Sequence, residues 1–425
     1  MTQQNTLSRR DRLRRKYRYV DRTFILFLLT LFQVVSFTPI IFSDGIQFRI
    51  TLYLLGYILF EWIYVAVMHR VLKKLNFELE LIAFFLSGIG LCINASLSEG
   101  NMLKQLITVI AGVVVYDVLL WFLQDVKRVM AVRVPLAIFT LIFFAGSFFY
   151  IRFFSHPING AYNWIVIGGV SLQPSELVKI AFVFVGAATL DKLLTAKNII
   201  LYILFALGCI GVLFFMKDFG TALIFFFTFV VIAFMRSGDF RTILFIFAIA
   251  FVAALVVLLL LPHVLNRFEN YRHIWDDPYG RGYQQTRVLM YTVSGGVLGL
   301  GVGNGCLRQV YAASTDLVFG LVCEEFGILI GFAIVIAFAF IAIYAVKSSK
   351  TAPSTFYSIS ACSASAMILF QTCLNIFGIT DLLPLTGVTL PFVSRGGSSM
   401  LCCWALFAFI KAADIRAYPK TYKTT

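Results

Sequence analysis

Long apolar stretches, broken by short polar segments, run almost from end to end of the chain. They fall at about 23–43, 48–68, 79–97, 103–123, 134–153, 175–190, 199–215, 220–235, 242–261, 316–346, 355–378 and 396–410. A helix needs about 20 apolar residues to cross a bilayer, and most of these runs approach or exceed that length. The pattern predicts an all-α polytopic membrane protein with about twelve transmembrane helices. An even number of crossings puts both termini on one side.

The polar breaks give the sidedness. Residues 1–22 form a basic tail carrying Arg9, Arg10, Arg12, Arg14, Arg15, Lys16, Arg18 and Arg22, opposed only by Asp11 and Asp21. Every second break is also basic: Arg70, Lys73 and Lys74; Lys127, Arg128 and Arg133; Lys192 and Lys197; Arg236 and Arg241; Lys347 and Lys350; Lys411, Arg416, Lys420 and Lys423. Short basic loops mark the cytoplasmic side. Both termini are therefore expected in the cytoplasm, and the tail leads straight into a span, which argues against nucleic acid as its partner.

Composition agrees. Of the 425 residues 60% are hydrophobic and 13% charged, which excludes a soluble enzyme, a disordered chain and a disulfide-rich secreted domain. The net charge of +14 reflects 35 Lys+Arg against 21 Asp+Glu. The eight cysteines form no CxxC pair, and most lie in apolar runs, where Cys packs as a small hydrophobe. The four histidines (69, 156, 263 and 273) are scattered.

The longest polar stretch, about 262–315, falls on the expected outer side, yet it is positive, with Arg267, Arg272, Arg281, Arg287 and Arg308. An anionic substrate would account for that departure from the positive-inside bias. Four outer segments concentrate the unusual polar sequence: Gly160–Lys179, Met216–Thr221, Arg267–Gly305 and Pro384–Ser399.

In the first segment, Gln173-Pro174-Ser175-Glu176 opens a helix with Glu176 and Lys179 on one face. Charges at a membrane boundary pair structurally or mark a functional site. Asp218 suits a helix cap. Asp276-Asp277-Pro278-Tyr279-Gly280 reads first as a rigid Asp-Pro turn and also as a place for a general base. The glycines at 295, 296, 299, 301, 303 and 305 do not match GxGxxG, and close backbone packing fits them better than a phosphate cradle. Ser394, Arg395, Gly396, Gly397 and Ser398 offer either phosphate donors or a polar helix entrance. Glu324 and Glu325 are further intramembrane carboxylates, for which a basic partner is expected.

Taken together, these residues resemble the SEDS family (shape, elongation, division and sporulation), which includes FtsW, RodA and SpoVE. The similar motifs are Trp164-Ile165 followed by Gln173-Pro174-Ser175-Glu176 and Lys179; Asp218-Phe219-Gly220-Thr221-Ala222; Asp277-Pro278 with Gly282-Tyr283-Gln284; Gly295-Gly296 with Gly299 and Gly301; Thr315-Asp316 with Glu324-Glu325-Phe326-Gly327; and Thr386 to Ser394 with Gly396-Gly397-Ser398-Ser399. The likeness covers about 79–411 and implies a ten-span core at 75–417 with two additional N-terminal spans at 23–74.

The resemblance further implies an inverting peptidoglycan glycosyltransferase that polymerises lipid II at the outer face of the bacterial cytoplasmic membrane, serving division, shape or sporulation. Asp277 would be the general base, and polyprenyl pyrophosphate the leaving group. The leaving group calls for cations, and Lys179, Arg267, Arg287 and Arg395 are the candidates. A divalent cation (Mg or Mn) is compatible with that chemistry, though no metal ligands are identified. Glu176, Tyr283, Gln284, Ser394, Gly396, Gly397 and Ser398 would line the substrate site, with Gln173, Ser175, Asp218, Thr315, Asp316 and Glu325 supporting it. A class B penicillin-binding protein is the implied partner.

The sequence departs from the family pattern at Tyr162-Asn163, Lys217, Ala312-Ala313-Ser314 and Arg395. Two other readings stand beside the enzyme. One is a flippase for a lipid-linked precursor, which the crowding of polar residues on one side disfavours. The other is a weakly catalytic scaffold that activates a transpeptidase.

Overall fold

The computed structural model describes residues 22–43, 45–71, 76–154, 163–167, 170–191, 196–249 and 271–414. The described helices are α1 (Arg22–Ile41), α2 (Phe48–Arg70), α3 (Glu78–Leu97), α4 (Glu99–Leu123), α5 (Val126–Phe154), α6 (Pro174–Asp191), α7 (Ala196–Phe215), α8 (Phe219–Ser237), α9 (Phe240–Ile249), α10 (Tyr283–Ser294), α11 (Val318–Phe326), α12 (Ile328–Lys350), α13 (Thr355–Ile379) and α14 (Gly397–Ala412). Nine of them are long and apolar enough to cross a membrane. The expected crossings at 175–190, 242–261 and 396–410 correspond to α6, with its charged first turn, and to the shorter apolar helices α9 and α14. The basic tail before Arg22, residues 250–270 with Arg267, and the C-terminal residues from 415 lie outside the described residues.

Two expectations are corrected. The run 316–346 is not one helix. It divides at Gly327, whose φ of +85° suits glycine and whose added Cβ would meet the Val297 carbonyl oxygen at 2.2 Å. The glycine-rich 295–301 segment crosses there: Ile328 N donates to Gly296 O at 3.0 Å, and Leu300 N to Glu324 O at 2.9 Å. These glycines provide close backbone packing. The second correction is a small antiparallel hairpin of β1 (Ile165–Ile167) and β2 (Val170–Leu172) within an otherwise helical chain.

α14 is the axis of the bundle. It is buried over nearly its whole length and packs on α4, α13 and α6. Trp404 explains the closeness of α4: its ring meets Tyr116, Phe84, Phe392 and Phe407, and it fits because Gly112 has no side chain. Burying such aromatic area and matching its shape stabilises helix packing where lipid supplies no hydrophobic drive.

A buried polar network closes one end of the bundle. Lys411 Nζ pairs with Glu80 Oε2 at 2.8 Å and donates to Asn76 O at 2.6 Å, while Tyr116 donates to Glu80 Oε1 at 2.6 Å. Asn76 and Tyr344 both donate to Asp414 Oδ2. The starts of α6, α8, α11 and α14 gather elsewhere, around the segment that joins α13 to α14.

Candidate active site

The α13–α14 connection takes its shape from Ser394. Its hydroxyl donates to Thr315 O at 2.5 Å and accepts from Leu390 N at 2.8 Å, and its carbonyl accepts from Gln105 at 3.3 Å. Next to it, Arg395 N donates to Ser314 O at 2.8 Å, and the residue is exposed. Asn375, buried in α13, donates to Asp316 O at 2.8 Å and Val388 O at 2.7 Å. One segment thus holds the start of α11 against the end of α13.

On one side of it lies a buried cluster. Asp218 caps α8 by accepting from Thr221 N at 3.1 Å, and its other oxygen accepts from Gln173 and Asn163 at 3.3 and 3.2 Å. Gln173 N donates to Ser398 Oγ at 3.3 Å, which ties α6 to α14. Below this, Lys179 Nζ bonds Glu176 Oε1 and Gln371 Oε1, both at 2.8 Å. Gln371 continues to Thr389, which bonds Ser399 at 2.8 Å. Ser175 is buried in the same turn.

Asp316 faces this cluster at the head of α11. Burial, offset by the Thr315 hydroxyl and reinforced by the charge of Asp218, pushes its carboxyl up to about 6. Glu325 is buried against the Gly303–Gly305 segment, with Arg308 as the nearby cation. The basic partner expected for Glu324 is replaced by backbone: its oxygens accept from Cys306 N at 2.7 Å and Leu307 N at 2.9 Å.

The second cluster is the exposed turn before α10. Asp277 Oδ1 accepts from Gly280 N at 2.9 Å and Oδ2 from Arg281 N at 3.0 Å. The carboxylate caps its own turn and stays exposed. Its neighbour Asp276 turns instead to His273 Nδ1 at 3.1 Å. Arg287 lies 5.6 Å from the ring centroid of Tyr279 and 5.3 Å from that of Tyr283, so two aromatic faces hold its guanidinium. Gln284 donates to Tyr311 O at 3.3 Å. Tyr271 and Gln285 fasten this turn to the α13 end, through Leu382 O and Gly378 O at 2.9 and 3.2 Å.

The structure therefore brings Gln173, Glu176, Lys179, Asp218 and Ser398 into one buried network, and Asp277, Tyr283, Gln284 and Arg287 into an exposed one. Gly396 and Gly397 sit at the entrance to α14. Of the four candidate cations, Arg287 and Arg395 remain at the surface or half-buried, Lys179 is buried and ion-paired, and Arg267 lies outside the described residues. Among the described residues no group of three His, Cys, Asp or Glu side chains is placed to hold a metal. Sequence reasoning missed Gln105, Gln371, Asn375 and Thr389. Three are polar groups inside apolar helices, a signal that was present.

Known proteins share this architecture. A family described as "Cell cycle protein", of FtsW, RodA and SpoVE type, matches residues 81–418. A probable peptidoglycan glycosyltransferase FtsW of Borreliella burgdorferi is 33% identical over 291 residues, 65% of this chain and 76% of that protein. The peptidoglycan glycosyltransferase RodA of Mycobacterium tuberculosis is 28% identical over 323 residues, 72% of this chain and 69% of the relative. Among solved structures, a chain of a peptidoglycan synthase complex superposes with a TM-score of 0.64 at 22% identity, covering 82% of this chain and 99% of that one. RodA of Thermus thermophilus gives a TM-score of 0.58 at 20% identity, covering 79% and 95%. The chain belongs to the FtsW, RodA and SpoVE family of multi-pass membrane proteins of the bacterial cell envelope.

Proposed function

We propose that the chain is an inverting peptidoglycan glycosyltransferase that polymerises lipid II at the outer face of the cytoplasmic membrane. The observation that carries the reading is the placement of Asp277. Two backbone N–H groups fix its carboxylate, yet a carboxylate has about four acceptor positions, so lone pairs remain for an incoming hydroxyl. The turn presents that carboxylate to the surface beside an arginine clamped by Tyr279 and Tyr283.

In the reaction, the acceptor sugar's 4-hydroxyl attacks the donor's anomeric carbon and gives its proton to Asp277. The bond from that carbon to the pyrophosphate oxygen breaks, and polyprenyl pyrophosphate leaves with the electron pair. Positive charge near the departing oxygens stabilises them most as their charge develops. Arg287 and Arg395 suit that role. Lys179 is committed to Glu176 and Gln371, so it acts as a support for the cluster. A transpeptidase of the class B penicillin-binding type is the partner that would cross-link the new glycan.

The test is lipid II polymerisation by the purified chain with its transpeptidase in liposomes. Asp277→Asn should stop glycan growth while leaving folding and partner binding unchanged. Glycan growth at the wild-type rate in that variant would remove Asp277 from the chemistry. Asp277-independent movement of lipid across the liposome would point to a flippase instead.

A further inference from the structure

A furrow of about 910 Å³ runs along the bundle between α1, α3 and α12, away from both clusters described above. That volume falls within the range of small-molecule pockets. Its walls are apolar, with Phe32 from α1, Leu81 and Phe85 from α3, and Ala333, Ala337 and Phe340 from α12. Phe340 and the lining residue Leu28 are exposed, so the furrow opens sideways onto the surface that faces lipid.

Its polar groups collect at the α12 C-terminal end: Tyr344, Lys347, Ser348 and Thr351, with Glu78 and Asp414 opposite. Two of them are without a partner of their own among the described residues. The Ser348 hydroxyl is buried, with the residue 3% exposed, and has no hydrogen-bond partner among the described residues. An unsatisfied buried hydroxyl costs free energy that an acceptor in the furrow would recover. Lys347 is exposed and makes no ion pair among the described residues, whereas neither Glu78 nor Asp414 is free. Lys347 is thus the lining cation whose ammonium is available to an anion at the mouth.

We infer that this furrow binds one anionic diacyl phospholipid, its phosphodiester accepting from Ser348 and paired with Lys347, and its chains laid along α1, α3 and α12. The basic α12 end is the one that the positive-inside pattern assigns to the cytoplasm, where anionic headgroups attract Lys and Arg. The α1 wall lies outside the matched 81–418, so the furrow depends on a helix that the family match does not include. It gives the additional N-terminal helix a role separate from the polymerisation site.

The full chain, purified in detergent, is incubated with phosphatidylglycerol or phosphatidylethanolamine and analysed by native mass spectrometry. One phosphatidylglycerol per chain should survive conditions that strip phosphatidylethanolamine. Lys347→Gln and Ser348→Ala should each weaken retention about tenfold, the worth of one charge-assisted or buried hydrogen bond. Ala333→Phe should abolish it by filling the furrow. Equal retention of the two lipids by the wild type would mean ordinary boundary lipid and would overturn the inference. So would undiminished phosphatidylglycerol retention in Lys347→Gln and Ala333→Phe. Thermal unfolding checks the fold. If Ala333→Phe fails that check, Lys347→Gln, altered at an exposed position, decides the matter alone.

Discussion

Lys179→Met tests whether the buried cation supports the fold or serves the reaction. Lys179 and Glu176 are 1% and 3% exposed, and their charged atoms lie 2.8 Å apart. The ammonium also donates to Gln371 Oε1. Removing the lysine strands a carboxylate inside the bundle and leaves an amide oxygen without its donor. Breaking one half of a buried pair typically costs 3–5 kcal/mol, or roughly a hundred- to several-thousandfold in the folded-to-unfolded ratio. Replacing both partners, as Glu176→Leu with Lys179→Met, removes the stranded charge and should recover most of that loss. Equilibrium unfolding in mixed detergent micelles reads the stability of the single and double variants, and lipid II polymerisation is measured on the folded fraction. Polymerisation per folded molecule should survive in the double variant. The reasoning is refuted if Lys179→Met unfolds like the wild type yet makes no glycan, because the charge would then act on the leaving pyrophosphate.

Four further outcomes follow. Gly280→Ala would place a Cβ 2.2 Å from Asp277 Oδ2, so the carboxylate must move; polymerisation should fall at least about tenfold with little change in unfolding midpoint, since the turn is exposed. Asp316→Asn should raise stability above about pH 6, read by thermal unfolding from pH 4 to 7. The native carboxyl holds its proton up to about 6 and the unfolded one only to about 4, so wild-type stability falls as pH rises through that window, and the amide removes the slope. Gly112→Ala would drive a Cβ to 2.3 Å from the Trp404 ring and should cost roughly 1–3 kcal/mol in micelle unfolding. Asn375→Ala strips a donor from two carbonyls, Asp316 O and Val388 O, and should cost roughly 2–5 kcal/mol by the same measurement.

The helices were legible because lipid demands long apolar runs with satisfied backbones. The Asp218 cap was legible because its position before Phe219-Gly220-Thr221 leaves unpaired N–H groups within its reach. The division of 316–346 was not. It arises from backbone approaching from residues 295–301, and a local window cannot register a neighbour so distant in sequence. The partners of Glu324 escaped for a related reason: two backbone amides carry no charge signature in a sequence. The hairpin escaped despite an available cue, a Gly168-Gly169 pair between β-branched residues. The clusters were legible as lists of polar residues but not as neighbourhoods. Nothing in the spacing of Gln371 and Thr389 says that an amide in α13 joins Lys179 to the start of α14.

The α13–α14 connection is what relates the two clusters. Ser394 and Asn375 fix the start of α11 to it, Gln371 and Ser399 fasten the α6 ion pair to it, and Leu382 receives the Tyr271 hydroxyl at the base of the Asp277 turn. The distance between the exposed carboxylate and the buried network is thus set by one short segment anchored at both ends in packed helices. Such anchoring holds the Asp277 turn and the buried network at a fixed spacing. It also explains why polar groups are tolerated at depth in α13. Each of these amides satisfies backbone or side-chain groups of the connection, so the desolvation cost of burying them is offset by the irregular chain they hold in place.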